Sequence, residues 1–143
     1  KPHGRAPARL AVTAIDTAAT AISFMEQVDV SKSVDWRVAD ASKMEERWSH
    51  SFDIVVDKGL IGSILAERVV CPSSSQDDGG TGISSITSVL CEYHRILKPG
   101  TCAVIIMPDV GSLRILEDTV AQAQSANAPL WEVVCRRDVG QGI

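Results

Sequence analysis

Apolar residues along this chain gather into short runs separated by polar stretches, and the runs alternate between two periods. Leu10-Ala11-Val12-Thr13-Ala14-Ile15 is compact, mostly apolar and rich in β-branched residues, and it ends at Asp16. This pattern predicts a strand buried on both faces, as parallel strands are. Asp16-Thr17 then offers a cap for a helix through Ala19, Ile22 and Met25. Val34-Asp35-Trp36-Arg37-Val38 alternates apolar with polar, a second strand pattern, and leads to Asp40. Phe52-Asp53-Ile54-Val55-Val56 reads as a third strand that ends at Asp57. Gly59 and a short apolar piece, Leu60 to Leu65, come next.

The second half continues the alternation. Residues 72–82 are rich in Ser, Asp and Gly, which marks a flexible loop. Ile83, Ile86, Val89, Leu90, Tyr93 and Leu97 fall at helical spacing, and Pro99-Gly100 is expected to stop that helix. Cys102-Ala103-Val104-Ile105-Ile106-Met107 is the most apolar strand candidate. Leu113, Leu116, Val120 and Ala123 mark a further helix, and Leu130-Trp131-Glu132-Val133-Val134-Cys135 a fifth strand. Strands alternating with helices predict an α/β fold with a mostly parallel sheet.

Composition narrows this picture without redirecting it. A chain of 143 residues with 45% hydrophobic and 22% charged residues suits a single packed domain. A net charge of -4 argues against a general nucleic-acid binder, so no direct nucleic-acid partner is expected. No apolar run approaches the roughly 20 residues of a membrane helix, and Lys1-Pro2-His3-Gly4-Arg5 lacks the apolar core of a signal peptide. Cys71, Cys91, Cys102 and Cys135 contain no Cys-x-x-Cys pair. No metal site is expected, and reduced cysteines in a cytoplasmic protein are the simplest reading.

Candidate chemistry lies at the strand ends. In open α/β sheets ligands sit beyond the carboxyl ends of the strands, where Asp16, Asp40 and Asp57 fall. A carboxylate only accepts hydrogen bonds, which suits a ribose diol. The competing reading is that each aspartate caps the helix after it.

The ordered set Val12-Thr13-Ala14-Ile15-Asp16, Val38-Ala39-Asp40-Ala41 and Phe52-Asp53-Ile54-Val55-Val56-Asp57-Lys58-Gly59 resembles the class I S-adenosylmethionine-dependent methyltransferases. Glu92-Tyr93-His94-Arg95-Ile96-Leu97-Lys98-Pro99-Gly100 is similar to their helix-to-strand turn. The likeness runs in order over 10–107, and Phe-Asp-x-x-x-Asp-Lys-Gly resembles the group that methylates lysines or the N-terminus of elongation factor 1A. The resemblance implies a Rossmann-like open sheet with helices on both faces and S-adenosyl-L-methionine as cofactor. It implies methyl transfer to a protein amine such as lysine. By position, Asp16 and Thr17 would hold the ribose and flank the adenosine. Asp40 and the Ala41 amide would meet the adenine. Asp57, Lys58 and Gly59 would lie beside the methionine part and the target nucleophile, and Asp57 would also contact the cofactor. Met44 could pack against the adenine, but a core methionine is the favoured reading.

Two departures stand out. The family group carries a further aspartate three positions after its Asp-Lys-Gly run, where this chain has Gly62. Only fifteen residues precede Asp16, with Gly4 the one glycine among them, so the first strand and the glycine-rich turn are missing. The family's closing hairpin strand is likewise not found after Gly142. The chain is therefore expected to be a single partial domain over 1–143: a fragment, the product of an incompletely read gene, or a divergent domain that fills the gap another way. Two other functions compete. One is a non-catalytic module that binds a partner protein. The other is an NAD-dependent oxidoreductase, disfavoured because Gly-x-Gly-x-x-Gly and Tyr-x-x-x-Lys are both absent, Leu97 standing four after Tyr93. His94 is given no role.

Overall fold

The computed structural model describes residues 10–70, 81–107, 109–125 and 131–132. The fold is α/β, and the chain divides into two compact units, Lys1–Met44 and Glu45–Ile143.

The first unit is one strand–helix–strand repeat. Strand β1 (Val12–Asp16) pairs in parallel with β2 (Val34–Val38), from Val12 opposite Val34 to Asp16 opposite Val38. The Ala39 amide extends the ladder by donating to the Asp16 carbonyl at 3.0 Å. Helix α1 (Ala19–Val28) makes the crossover, and its Ile22 is buried. The return to β2 is organised by Asp29. Its carboxylate accepts from the Ser31 hydroxyl at 2.7 Å, the Val34 amide at 3.1 Å and the Trp36 indole at 3.3 Å. The Ser31 hydroxyl first, then the Val34 amide, pull the Asp29 carboxyl down to about 2. β1 is not buried on both faces as its composition predicts: Val12 and Asp16 are exposed and the residues between them half-buried. Within this unit, one partner strand and one helix cannot enclose a strand on all sides.

The second unit opens with a short 3-10 turn, Glu46–Trp48, tied to the end of a later helix. Arg95 grips Glu92 with two nitrogens, at 2.8 and 2.7 Å, and donates to the Ser49 hydroxyl at 2.8 Å. Strand β3 (Phe52–Lys58) comes next, then α2 (Leu60–Val70), α3 (Thr81–Ile96), β4 (Leu97–Ile106) and α4 (Val110–Ser125). β3 and β4 pair in parallel from Ile54 opposite Cys102 to Lys58 opposite Ile106. α3 stops at Ile96, three residues before Pro99, and the Pro99-Gly100 pair lies inside β4. Proline disfavours helical backbone at the residue before it, so the helix ends upstream. The ladder absorbs the extra residues as an irregularity between Phe52 and Ile54, with Gly100 at φ +79°.

The core of this unit lies among the helices. Ile61 and Leu65 of α2, Ile86, Val89, Leu90 and Tyr93 of α3, and Leu116 of α4 are all buried. The two faces of the β3–β4 pair differ. Alternate residues Ile54, Val56, Val104 and Ile106 are 41 to 60% exposed, whereas Asp57, on the other face, is 4% exposed. The described strands thus form two parallel pairs. The predicted loop lies almost wholly outside the described residues, except that residues 81–82 begin α3. Of the predicted fifth strand, Trp131 and Glu132 are described and are not in a strand; the rest lies outside the described residues. Among the described residues, no helix is long and apolar enough to cross a membrane.

Candidate functional site

Asp16 and Asp40 come to the same end of the β1–β2 pair, since parallel pairing sets the two carboxyl ends side by side. Both carboxylates are exposed and both make a local turn. Asp16 accepts the Ala18 amide at 2.7 Å through Oδ1. Asp40 accepts the Ser42 amide at 2.8 Å and the Ser42 hydroxyl at 2.7 Å, again through Oδ1 alone. These bonds, the amide first, hold the Asp40 carboxyl below the usual carboxylate range. In each residue Oδ2 has no hydrogen-bond partner among the described residues. The helix-capping reading is therefore partly met: Asp16 orders the turn before α1, whose cap position is Ala18 without a side-chain bond. Thr17 is exposed beside it, and Ala41 is buried.

Asp57 stands differently. Its carboxylate accepts the Leu60 amide at 2.8 Å on Oδ1, and the Ile61 amide at 3.3 Å and the Tyr93 hydroxyl at 3.1 Å on Oδ2. Two donors are first-turn amides of α2, so Asp57 caps that helix. The third comes from the middle of the core. Burial, then the Asp57 charge and the hydrogen bond to it, push the Tyr93 hydroxyl well above the ordinary tyrosine range. The local fold demands Gly59: its φ of +103° is a conformation that side chains with a Cβ resist. That turn brings the chain from β3 into α2 within two residues.

Beside the turn lies a cavity of about 360 Å³. Lys58 and Gly59 line it from the end of β3, Gly62, Ser63 and Ala66 from α2, and Ile106 and Met107 from the end of β4. Among the described lining residues Lys58 alone is charged; it is exposed and makes no hydrogen bond or ion pair among the described residues. The Ser63 hydroxyl donates to the Gly59 carbonyl at 2.8 Å. Lys58, Gly59 and Gly62 thus share one cavity, whereas the Asp57 side chain is turned into the core.

Sequence patterns missed Tyr93 as the partner of Asp57, and Ile106 and Met107 as cavity wall. A signal for the first was present. Tyr93 is the chain's one tyrosine and sits in a helical stripe with Ile86, Val89 and Leu90, where a hydroxyl needs an acceptor. His94 is exposed and meets Trp131 edge to face, ring centroids 6.1 Å apart. No family model, characterised protein or solved structure matches this chain.

Proposed function

We propose that this chain is a Rossmann-like domain for S-adenosyl-L-methionine-dependent methyl transfer, with a protein amine such as lysine as acceptor. The observation that carries the reading is the pair Asp16 and Asp40, brought to one end of adjacent parallel strands with Oδ2 of each unpartnered among the described residues. Such oxygens fit the donors of a nucleoside: Asp16 the ribose hydroxyls, Asp40 the adenine amino group with the Ala41 amide near the ring. Bound there, the cofactor would supply an electrophilic methyl carbon on a good leaving group. The chain's own residues would bind and orient it.

Calorimetric titration with S-adenosylhomocysteine and with NAD tests this. The expected result is binding of S-adenosylhomocysteine that weakens at least tenfold in Asp16→Ala and Asp40→Ala. Binding of NAD alone refutes it. A second reading, a non-catalytic partner-binding module, draws on the full engagement of the Asp57 carboxylate and on Gly62. It predicts that neither ligand binds.

A further inference from the structure

A ligand in an open α/β unit meets the carboxyl ends of parallel strands and the start of the helix that follows. In the unit Glu45–Ile143 that place holds the cavity of about 360 Å³, at the small end of the roughly 300–1,000 Å³ typical of small-molecule sites. Small residues keep it open. A Cβ on Gly59 would meet nothing within 4 Å, and Gly62 and Ala66, on one face of α2, give the cavity a low wall.

The polar atoms at the start of α2 sort by role. A helix leaves its first amides without intrahelical acceptors. The Leu60 and Ile61 amides go to the Asp57 carboxylate, and the Ser63 amide and hydroxyl both go to the Gly59 carbonyl, at 2.8 Å each. The Gly62 amide has no acceptor among the described residues, although Gly62 is buried and lines the cavity. A buried N–H without a partner costs free energy that a bound acceptor offsets. Lys58, exposed at the same wall, adds three donors on a flexible stem. The Gly59 carbonyl, by contrast, already accepts twice. These atoms offer donors to the head of a ligand, and Ile106, Met107 and Ala66 offer its body an apolar wall.

We propose that this cavity binds a small monocarboxylate with an apolar chain. The carboxylate accepts from the Lys58 ammonium and the Gly62 amide, and the chain lies against Ile106, Met107 and Ala66. A carboxylate only accepts hydrogen bonds and carries a single charge, so one group serves both donors and matches one cation. The volume suits an unbranched chain of about four to six carbons. Binding is weak, because an exposed ammonium is screened by water and salt.

Hexanoate is titrated into the whole chain, labelled with nitrogen-15, and followed by NMR at the amides of Lys58, Gly59, Gly62, Ser63 and Met107. Saturable shifts are expected there, with a dissociation constant of about 1 mM. Hexylamine, which as an ammonium has no acceptor to offer, is expected to leave them unmoved. Lys58→Arg keeps the affinity and Lys58→Gln weakens it about threefold. Ala66→Leu, at an exposed helix position that leucine suits, fills the cavity and weakens hexanoate at least about fivefold. Saturable shifts with hexylamine that match those with hexanoate, equal affinity in Lys58→Gln or in Ala66→Leu, or no saturable shift at these amides overturns the proposal. The site lies within one unit, so its test is indifferent to whether S-adenosylhomocysteine binds at Asp16 and Asp40.

Discussion

Asp40 and Asp57 each stand at or just past the end of a parallel strand, yet one is open to solvent and the other is consumed. Asp40 spends one oxygen on Ser42 and is exposed; Asp57 is 4% exposed and its two oxygens serve three donors. The difference lies in the next stretch of chain. After Asp57 the Gly59 turn leads at once into α2, whose first amides point back at the carboxylate. After Asp40 comes only a turn. Asp109, which precedes α4, behaves like Asp57 in capping but is exposed, and it accepts the Ser112 amide and hydroxyl. An aspartate at a strand end is thus consumed where both helix amides and a core hydroxyl converge on it, as at Asp57, and keeps a spare oxygen where a single local turn engages it, as at Asp16 and Asp40.

The sharpest way to break this contrast is Asp57→Ala. It removes the cap of α2 and leaves the Tyr93 hydroxyl buried without an acceptor. We predict a loss of about 3 kcal/mol in urea unfolding. A loss below about 1 kcal/mol would show that the carboxylate is not structural.

Tyr93→Phe should cost less, about 1 kcal/mol, because Asp57 keeps its two amide donors. It carries a second signature. The Tyr93 hydroxyl is raised above its unfolded value, so above about pH 10 the unfolded chain sheds a proton that the folded chain retains. Stability must then fall as pH rises beyond about 10, whereas below that value this group contributes no slope. In Tyr93→Phe that alkaline slope is expected to flatten.

The four described strands were legible because apolar runs of five or six residues have few other uses in a chain of this length, whereas Trp131 and Glu132 of the expected fifth are not in a strand. The β2 span Val34–Val38 comes directly from its alternation. Pairing was harder. Periodicity places strands but does not name partners, and the described strands join as two separate pairs. α2 read as a short apolar piece because its capping signal, Asp57, also reads as a strand end. Pro99-Gly100 marked the end of α3 but not its own place inside β4, where an irregularity in the ladder holds it. Asp16, Asp40, Asp57, Lys58 and Gly59 were all visible as candidates. Which carboxylates stay available was not, because Tyr93 meets Asp57 from 36 residues away and no local pattern reports that contact.

The smallest effects are expected where the contrast predicts spare capacity. The Ala18 and Ser42 amides bound by Asp16 and Asp40 lie at exposed positions where water can replace a lost carboxylate. Asp16→Ala and Asp40→Ala should each change unfolding stability by no more than about 0.5 kcal/mol. Urea unfolding beside ligand titration on the same proteins separates the two roles. Carboxylates kept for a ligand lose binding while stability holds, whereas carboxylates kept for the fold lose both together. A loss above about 1.5 kcal/mol in either variant would place it with Asp57 as a structural cap and remove the observation on which the nucleoside site rests.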